Sequence, residues 1–320
     1  MANKNLTDEK IRSLTQEELG ISKQDSYETD PAKTFVEIDK SHPVLLAISQ
    51  AIEMGFAGVI LSGPPGTGKT VIADAMARTI AASEKNISYV QFHPSYQYED
   101  FIEGFVPTES GGFKLTEKVF LQLCDAAKKS LKDMHVLVID EISRCDAARV
   151  FGEALTYLEM DKRGKPFLLA SGREVIIPPN LVIIATMNPW DRGVDDMDVA
   201  LERRFAHVKV LPDEGILKDI LERSGASSEF ASKVGNFFNR LQGLSDERYH
   251  LGHGYFIKCV NEATSEKIWD YQLNPFFEKA MRLEPETFSS IKQWWKTGVL
   301  NSGPPLFDEL GDSASAPTNE

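Results

Sequence analysis

Five short apolar runs recur through the first two thirds of the chain, at residues 58–61, 87–92, 135–141, 181–186 and 207–211. Most are continuous rather than alternating, the pattern of strands covered on both faces, and the third ends in two carboxylates. Between them the apolar residues return at helical spacing. A helix is predicted to start at Ser41-His42-Pro43, with Val44, Leu45, Ile48, Ala51 and Ile52 on one face. Further helices are expected over 71–82, 115–131 and 146–160, the last with Val150, Phe151, Ala154, Leu155 and Leu158 inward. A short one ends near Arg203-Arg204. A hairpin is expected over 164–180, and Gly111-Gly112 marks a turn. Strands alternating with helices imply a parallel sheet with helices on both faces, here five-stranded. From 216 to about 300 the pattern is helical with no strong strand. The expected organisation is therefore a polar arm (1–33), an α/β domain (34–213), a smaller all-helical domain (214–300) and a disordered tail (301–320). The tail holds four acids and no base.

The first strand runs into Gly63-Pro64-Pro65-Gly66-Thr67-Gly68-Lys69-Thr70, which fits G-x-x-x-x-G-K-[ST] in the strand–loop–helix setting that gives the pattern meaning. Glycines let consecutive backbone N–H groups converge on a phosphate chain, and the following helix N-terminus adds a positive dipole end. Lys69 is expected on the β- and γ-phosphates and Thr70 on Mg²⁺. Asp140, at the end of the third strand, is the second expected Mg²⁺ partner, and Glu141 is placed to polarise the attacking water. Asn188, at the tip of the fourth strand, is expected to read the γ-phosphate or orient the water, against plain turn chemistry before a proline. Of Arg203 and Arg204 at least one is expected to act as an arginine finger, and a finger working across subunits requires assembly.

Composition narrows the remaining classes. The 320 residues carry a formal charge of −13, so a broad basic face for nucleic acid is not expected. Cys124, Cys145 and Cys259 are isolated and odd in number, which reads as reduced thiols of a cytoplasmic protein. No apolar run approaches the ~18 residues of a membrane span. His250 and His253 have no carboxylate or thiol at ligand spacing, and Trp294 and Trp295 read as packing for the helical domain rather than a base-stacking platform. No nuclease constellation is present in the pattern.

Taken in order, the phosphate loop, Asp140-Glu141, Asn188 and Arg203-Arg204 resemble an AAA+ ATPase module. Three stretches resemble more narrowly the McrB-like family, the GTPase motor subunits of modified-cytosine restriction complexes. They are Phe92 to Phe105, Ile139 to Glu153, and Met187-Asn188-Pro189-Trp190-Asp191 with Leu201 to Phe205; Leu251 to Phe256 is similar to a family segment too. The resemblance implies a P-loop NTPase core with a helical lid, hexameric rings and nucleotide between protomers. It also implies a partner endonuclease of the McrC type that stimulates hydrolysis in restriction and anti-phage defence. Asp191 would join Asn188 around the water, and Ser143 stands where the family usually has Asn. Family members that read modified DNA carry an N-terminal recognition domain. The polar residues 1–33 do not match one, so DNA contact is expected only through the complex. Family members use GTP, yet no N-K-x-D guanine signature occurs here, which leaves GTP or ATP. The competing reading is a MoxR-like chaperone ATPase acting on a protein or metalloenzyme partner, with which Ala185 to Pro189 is compatible. A nucleotide-dependent scaffold that scarcely turns over is disfavoured, because it needs neither Glu141 nor the arginine pair.

Overall fold

The computed structural model describes residues 42–190 and 198–301. The expected arm over 1–33, Asp191 and most of the tail lie outside that range.

The chain enters through the helix Pro43–Glu53, whose N-terminus is capped by His42: its Nδ1 accepts the Val44 N–H at 3.2 Å. Five strands then build one parallel sheet: β1 Gly58–Ser62, β2 Ile87–Gln91, β5 His135–Asp140, β8 Leu181–Met187 and β9 Phe205–Lys209. Their order is β2-β5-β8-β1-β9. β1 is held on one side by β8, with Gly58 opposite Ile183, and on the other by β9, with Gly58 opposite Phe205. The chain leaves β1 for the far edge and returns through β5 and β8 before crossing to β9. The carboxyl end of β1 therefore sits where strand order reverses, the place at which open α/β sheets bind ligands. Central strands β1, β5 and β8 are buried along almost their whole length, which accounts for their continuous apolar runs.

Two hairpins stand outside the sheet. β3 Glu103–Pro107 pairs antiparallel with β4 Phe113–Glu117, and β6 Pro166–Leu168 with β7 Glu174–Ile176. The second occupies the expected place. The first corrects the helix expected over 115–131, which begins only at Val119. Leu115 is drawn into strand pairing opposite Phe105, with the turn at Gly111 and Gly112, both at positive φ. Glu103 and Glu117 face each other across this hairpin, and Arg173, just before β7, forms ion pairs with both. The helix expected over 146–160 is also broken, into Ala147–Phe151 and Ala154–Tyr157. Gly152 between them has φ 52°, and the Tyr98 ring lies 2.8 Å from where a Cβ would stand. A left-handed residue ends one helix, and the ring occupies the side-chain position.

Buried apolar residues form two clusters. The first gathers around the sheet and includes the edge-to-face group Phe92, Phe101, Phe120 and Phe151. The second belongs to the helical C-terminal region, which runs from the helix Glu214–Arg223 to Pro285–Gly298. Trp295 is fully buried there, 4.8 Å from Phe237 and 5.3 Å from Trp269, ring to ring. Trp294 is half-buried with the Arg240 guanidinium over its ring at 5.8 Å. Among the described residues no helix is long and apolar enough to cross a membrane.

Candidate active site

The loop from Gly63 to Gly68 leaves the end of β1 and enters the helix Lys69–Ile80 through Gly68, at φ 85°. Gly66 is also left-handed, at φ 80°. Lys69 is buried, and its Nζ donates to the carbonyls of Gly63 (2.9 Å) and Pro64 (2.8 Å). Thr67, buried as well, closes the loop by donating to Pro64 O at 3.0 Å. Thr70, one residue into the helix, is exposed and turns its hydroxyl toward β5, donating to Asp140 Oδ1 at 3.2 Å.

Asp140 and Glu141 are held from a third direction by Thr186, a fully buried residue near the end of β8. Its hydroxyl donates to Asp140 Oδ1 and accepts the backbone N–H of Glu141 at 3.1 Å. Glu141 is left-handed, at φ 57° and ψ 50°. That conformation costs a residue with a Cβ about 1 kcal/mol or more and persists where the surroundings enforce it. The turn swings Glu141 out of the strand direction, so that neighbouring residues carry their carboxylates to different places. Arg144 Nε lies 3.6 Å from Glu141 Oε2. Thr186 was not singled out by sequence reasoning, because a threonine inside a buried run reads as a strand former. Its only signal was its position two residues before Asn188.

Thr70 and Asp140 present a hydroxyl and a carboxylate that already meet. That is a hard-oxygen donor set, suited to Mg²⁺, which takes one or two protein ligands beside substrate phosphates and water. Asn188 is buried one residue beyond β8, and its Oδ1 accepts the Trp190 N–H at 3.2 Å, an Asx turn. The turn fixes the side chain at the same sheet end as Asp140 and Glu141. Asp191 lies outside the described residues.

The helical region closes over the loop through Gly252, His253, Gly254 and Tyr255. Gly252 N–H donates to Pro65 O and Gly254 N–H to Gly66 O, both at 2.8 Å. A Cβ on Gly252 would lie 2.1 Å from the Gly66 carbonyl carbon, so only glycine lets the two backbones meet this closely. His253 Nε2 stands near Gly68, 3.6 Å from where a Cβ would be. Burial lowers the His253 pKa below the ordinary histidine value, opposed by Asp213 and reinforced by His42. Within the expected pair of histidines the environments diverge: His250 Nε2 bonds Leu244 O at 2.9 Å. No cluster of ligating side chains suited to a metal occurs among the described residues.

Arg203 and Arg204 are not at the loop. Arg204 O accepts the Ala57 N–H at 3.0 Å, and Phe205 pairs with Gly58, so both arginines sit at the start of β1 while the loop leaves its end. Five residues of strand separate the two, roughly 16 Å. An arginine side chain does not span that distance. The two arginines also differ. Arg204 is buried and donates to Ala200 O, whereas the Arg203 side chain is 63% exposed.

A family model described as an AAA domain of the dynein-related subfamily matches residues 58–205. The chain is 34% identical over 224 residues to the type IV methyl-directed restriction enzyme EcoKMcrB subunit of Escherichia coli, covering 65% of this chain and 49% of that protein. It is 28% identical over 188 residues to the type II restriction enzyme BsuMI component YdiS of Bacillus subtilis, covering 46% and 55%. It is also 31% identical to the ATP-dependent zinc metalloprotease FtsH of Mycoplasma genitalium, over 67% of this chain but 27% of that one. The chain thus spans about half the length of the two restriction proteins it matches.

Proposed function

We infer function from one premise: this chain belongs to the McrB-like family of AAA+ ATPases. We propose that it is a Mg²⁺-dependent nucleoside triphosphatase, taking GTP or ATP, that assembles into a ring with each nucleotide shared between protomers. We further propose that it serves as the motor of a restriction complex used in anti-phage defence. Hydrolysis would be coupled there to a McrC-like endonuclease chain, and DNA met through that complex. The similarity to two restriction components supports this setting over a chaperone role.

The observation that carries the catalytic reading is the convergence on Asp140, which joins Thr70 of the loop helix to Thr186 of β8. The loop's N–H groups and Lys69 would bind the phosphates. Thr70 and Asp140 would hold Mg²⁺, which would supply positive charge to offset that of the phosphates. Glu141 would accept a proton from the attacking water, and Asn188 would orient that water with Asp191 beside it. The helical region 214–300 would act as a lid, its Gly252–Tyr255 turn hydrogen-bonded to loop carbonyls.

The placement of Arg203 supports the proposed assembly. It is exposed and stands about a strand's length from its own loop, so as a finger it would meet the phosphates of a neighbouring protomer rather than its own. Arg204, buried beneath it, supports rather than inserts.

The test pairs two variants. Lys69→Ala is expected to lose nucleotide binding by calorimetry. Glu141→Gln is expected to bind as the unaltered protein does but to lose at least about 100-fold in turnover. Tight binding by the first, or unchanged turnover by the second, removes the corresponding assignment.

A further inference from the structure

Glu159 is the acidic centre of a basic cluster that the catalytic scheme leaves unused. Its Oε1 receives Arg203 Nη2 at 2.9 Å and Arg204 Nη2 at 2.8 Å, and its Oε2 receives Lys162 Nζ at 2.7 Å. Sequence reasoning did not single it out, since it lies at the frayed end of a broken helical segment and resembles any surface acid. The three partners are not equivalent. Arg204 is buried and spends its other terminal nitrogen on Ala200 O, so it is fixed. Lys162 sits three residues along the same turn. Only Arg203 is exposed, and it reaches out over a cleft of about 290 Å³ lined also by Met54, Met160 and Asp161.

We propose that Glu159 is a positioning residue that aims Arg203 at the triphosphate of the neighbouring protomer, with Arg204 as the anchor that fixes Glu159. The proposal rests on the reading of Arg203 as a finger acting between protomers. Its logic is one of charge. The three cations paired with Glu159 outnumber it, and with Asp161 also on the cleft they still leave the cluster net positive, so an approaching phosphate adds a counter-charge rather than breaking a balanced pair. When Arg203 shifts toward phosphate, Glu159 keeps Arg204 and Lys162 and is not stranded without a partner. An exposed ion pair is weakly held, so Arg203 is oriented without being locked. The ion pairs also hold the Glu159 carboxyl below its ordinary range, the Lys162 hydrogen bond contributing most, so the acid stays ionised at neutral pH. Without Glu159, two arginines adjacent in sequence and a lysine repel one another, and Arg203 loses its direction. Misplacement of a catalytic group by about 1 Å can cost on the order of 100-fold.

Glu159→Ala is therefore expected to keep the nucleotide Kd and lower kcat about 10- to 100-fold. Mixed with Lys69→Ala chains, it should regain hydrolysis, because those neighbours bring an intact finger to its own intact phosphate loop. A structural lesion would not be rescued that way. Adding Glu159→Ala to Arg203→Ala should cost little more than Arg203→Ala alone. Should Glu159→Ala fail to fold, Glu159→Gln, which keeps the shape and removes the charge, carries the same readings with a smaller loss. Arg203→Ala run in parallel separates the two ideas. If it turns over normally, the finger reading itself is lost. If it is inactive and rescued by Lys69→Ala while the Glu159 variants keep full turnover, or fall without rescue, only the positioning role is overturned.

Discussion

Thr186 does more at this site than its place in a buried run suggests. One hydroxyl donates to Asp140 and accepts from the Glu141 backbone, so a single oxygen sets the relation between the proposed metal partner and the proposed base. Thr186→Val keeps the branched shape and removes both bonds. It should leave nucleotide binding nearly intact, raise the Mg²⁺ concentration needed for turnover and lower kcat about 10-fold or more. Metal titration of steady-state hydrolysis checks this, and an unchanged profile would make Thr186 a packing residue. The residues that sequence reasoning located, Lys69, Thr70, Asp140 and Glu141, were legible because phosphate chemistry demands particular side chains at fixed spacing. Thr186 and Glu159 were not, because their roles come from partners 46 and 44 residues away. The two arginines were legible only as a pair; burial separates exposed Arg203 from fixed Arg204.

Among the elements, those with strong local signals appear where periodicity placed them. The five sheet strands match to within a residue or two, since continuous apolar runs between helices admit few alternatives. The differences have local causes. A left-handed glycine at 152 divides one expected helix, and pairing of Leu115 with Phe105 converts the start of another into strand. Neither the conformation of Gly152 nor the partner of Leu115 is encoded in hydrophobic spacing. The seam between the Gly252–Tyr255 turn and the loop is a further case, visible only once two distant glycines meet. Gly252→Ala cannot be seated without moving Gly66, so nucleotide affinity should fall at least about 10-fold while the far-ultraviolet spectrum is kept. Unchanged affinity by calorimetry would separate the turn from nucleotide binding. Arg163 staples another junction. It is buried, donates to the carbonyls of Leu158, Pro178, Leu181 and Ala57, and burial lowers its pKa to about 10. Arg163→Met would leave these acceptors unsatisfied and should cost roughly 3 kcal/mol. Chemical denaturation measures it, and a loss within experimental scatter would show that water takes the guanidinium's place.

At the scale of the whole molecule, the sheet separates the two proposed functions by the length of a strand. The loop, Asp140, Glu141 and Asn188 lie at the carboxyl ends of the strands. Arg203, Arg204 and Glu159 gather at the opposite end of β1. In the proposed scheme one copy therefore holds both the binding residues and the assisting arginine, placed too far apart to serve the same nucleotide. The proposed closed ring would resolve this by setting each copy's arginine against the next copy's phosphates, a head-to-tail arrangement that closes by rotation. The restriction setting rests on relatives of which the chain spans about half, while the proposed sharing of a site between copies rests on where this chain places Arg203.

The most direct measurement is hydrolysis by mixed chains. Arg203→Ala and Lys69→Ala proteins, each inactive alone, are combined over a range of ratios with Mg²⁺ and GTP or ATP, and phosphate release is followed. Recovered turnover that peaks at intermediate ratios is the predicted result, since each Arg203→Ala loop would then be served by a Lys69→Ala neighbour's intact arginine. Silence at every ratio, from chains shown to associate, would contradict a site divided between copies.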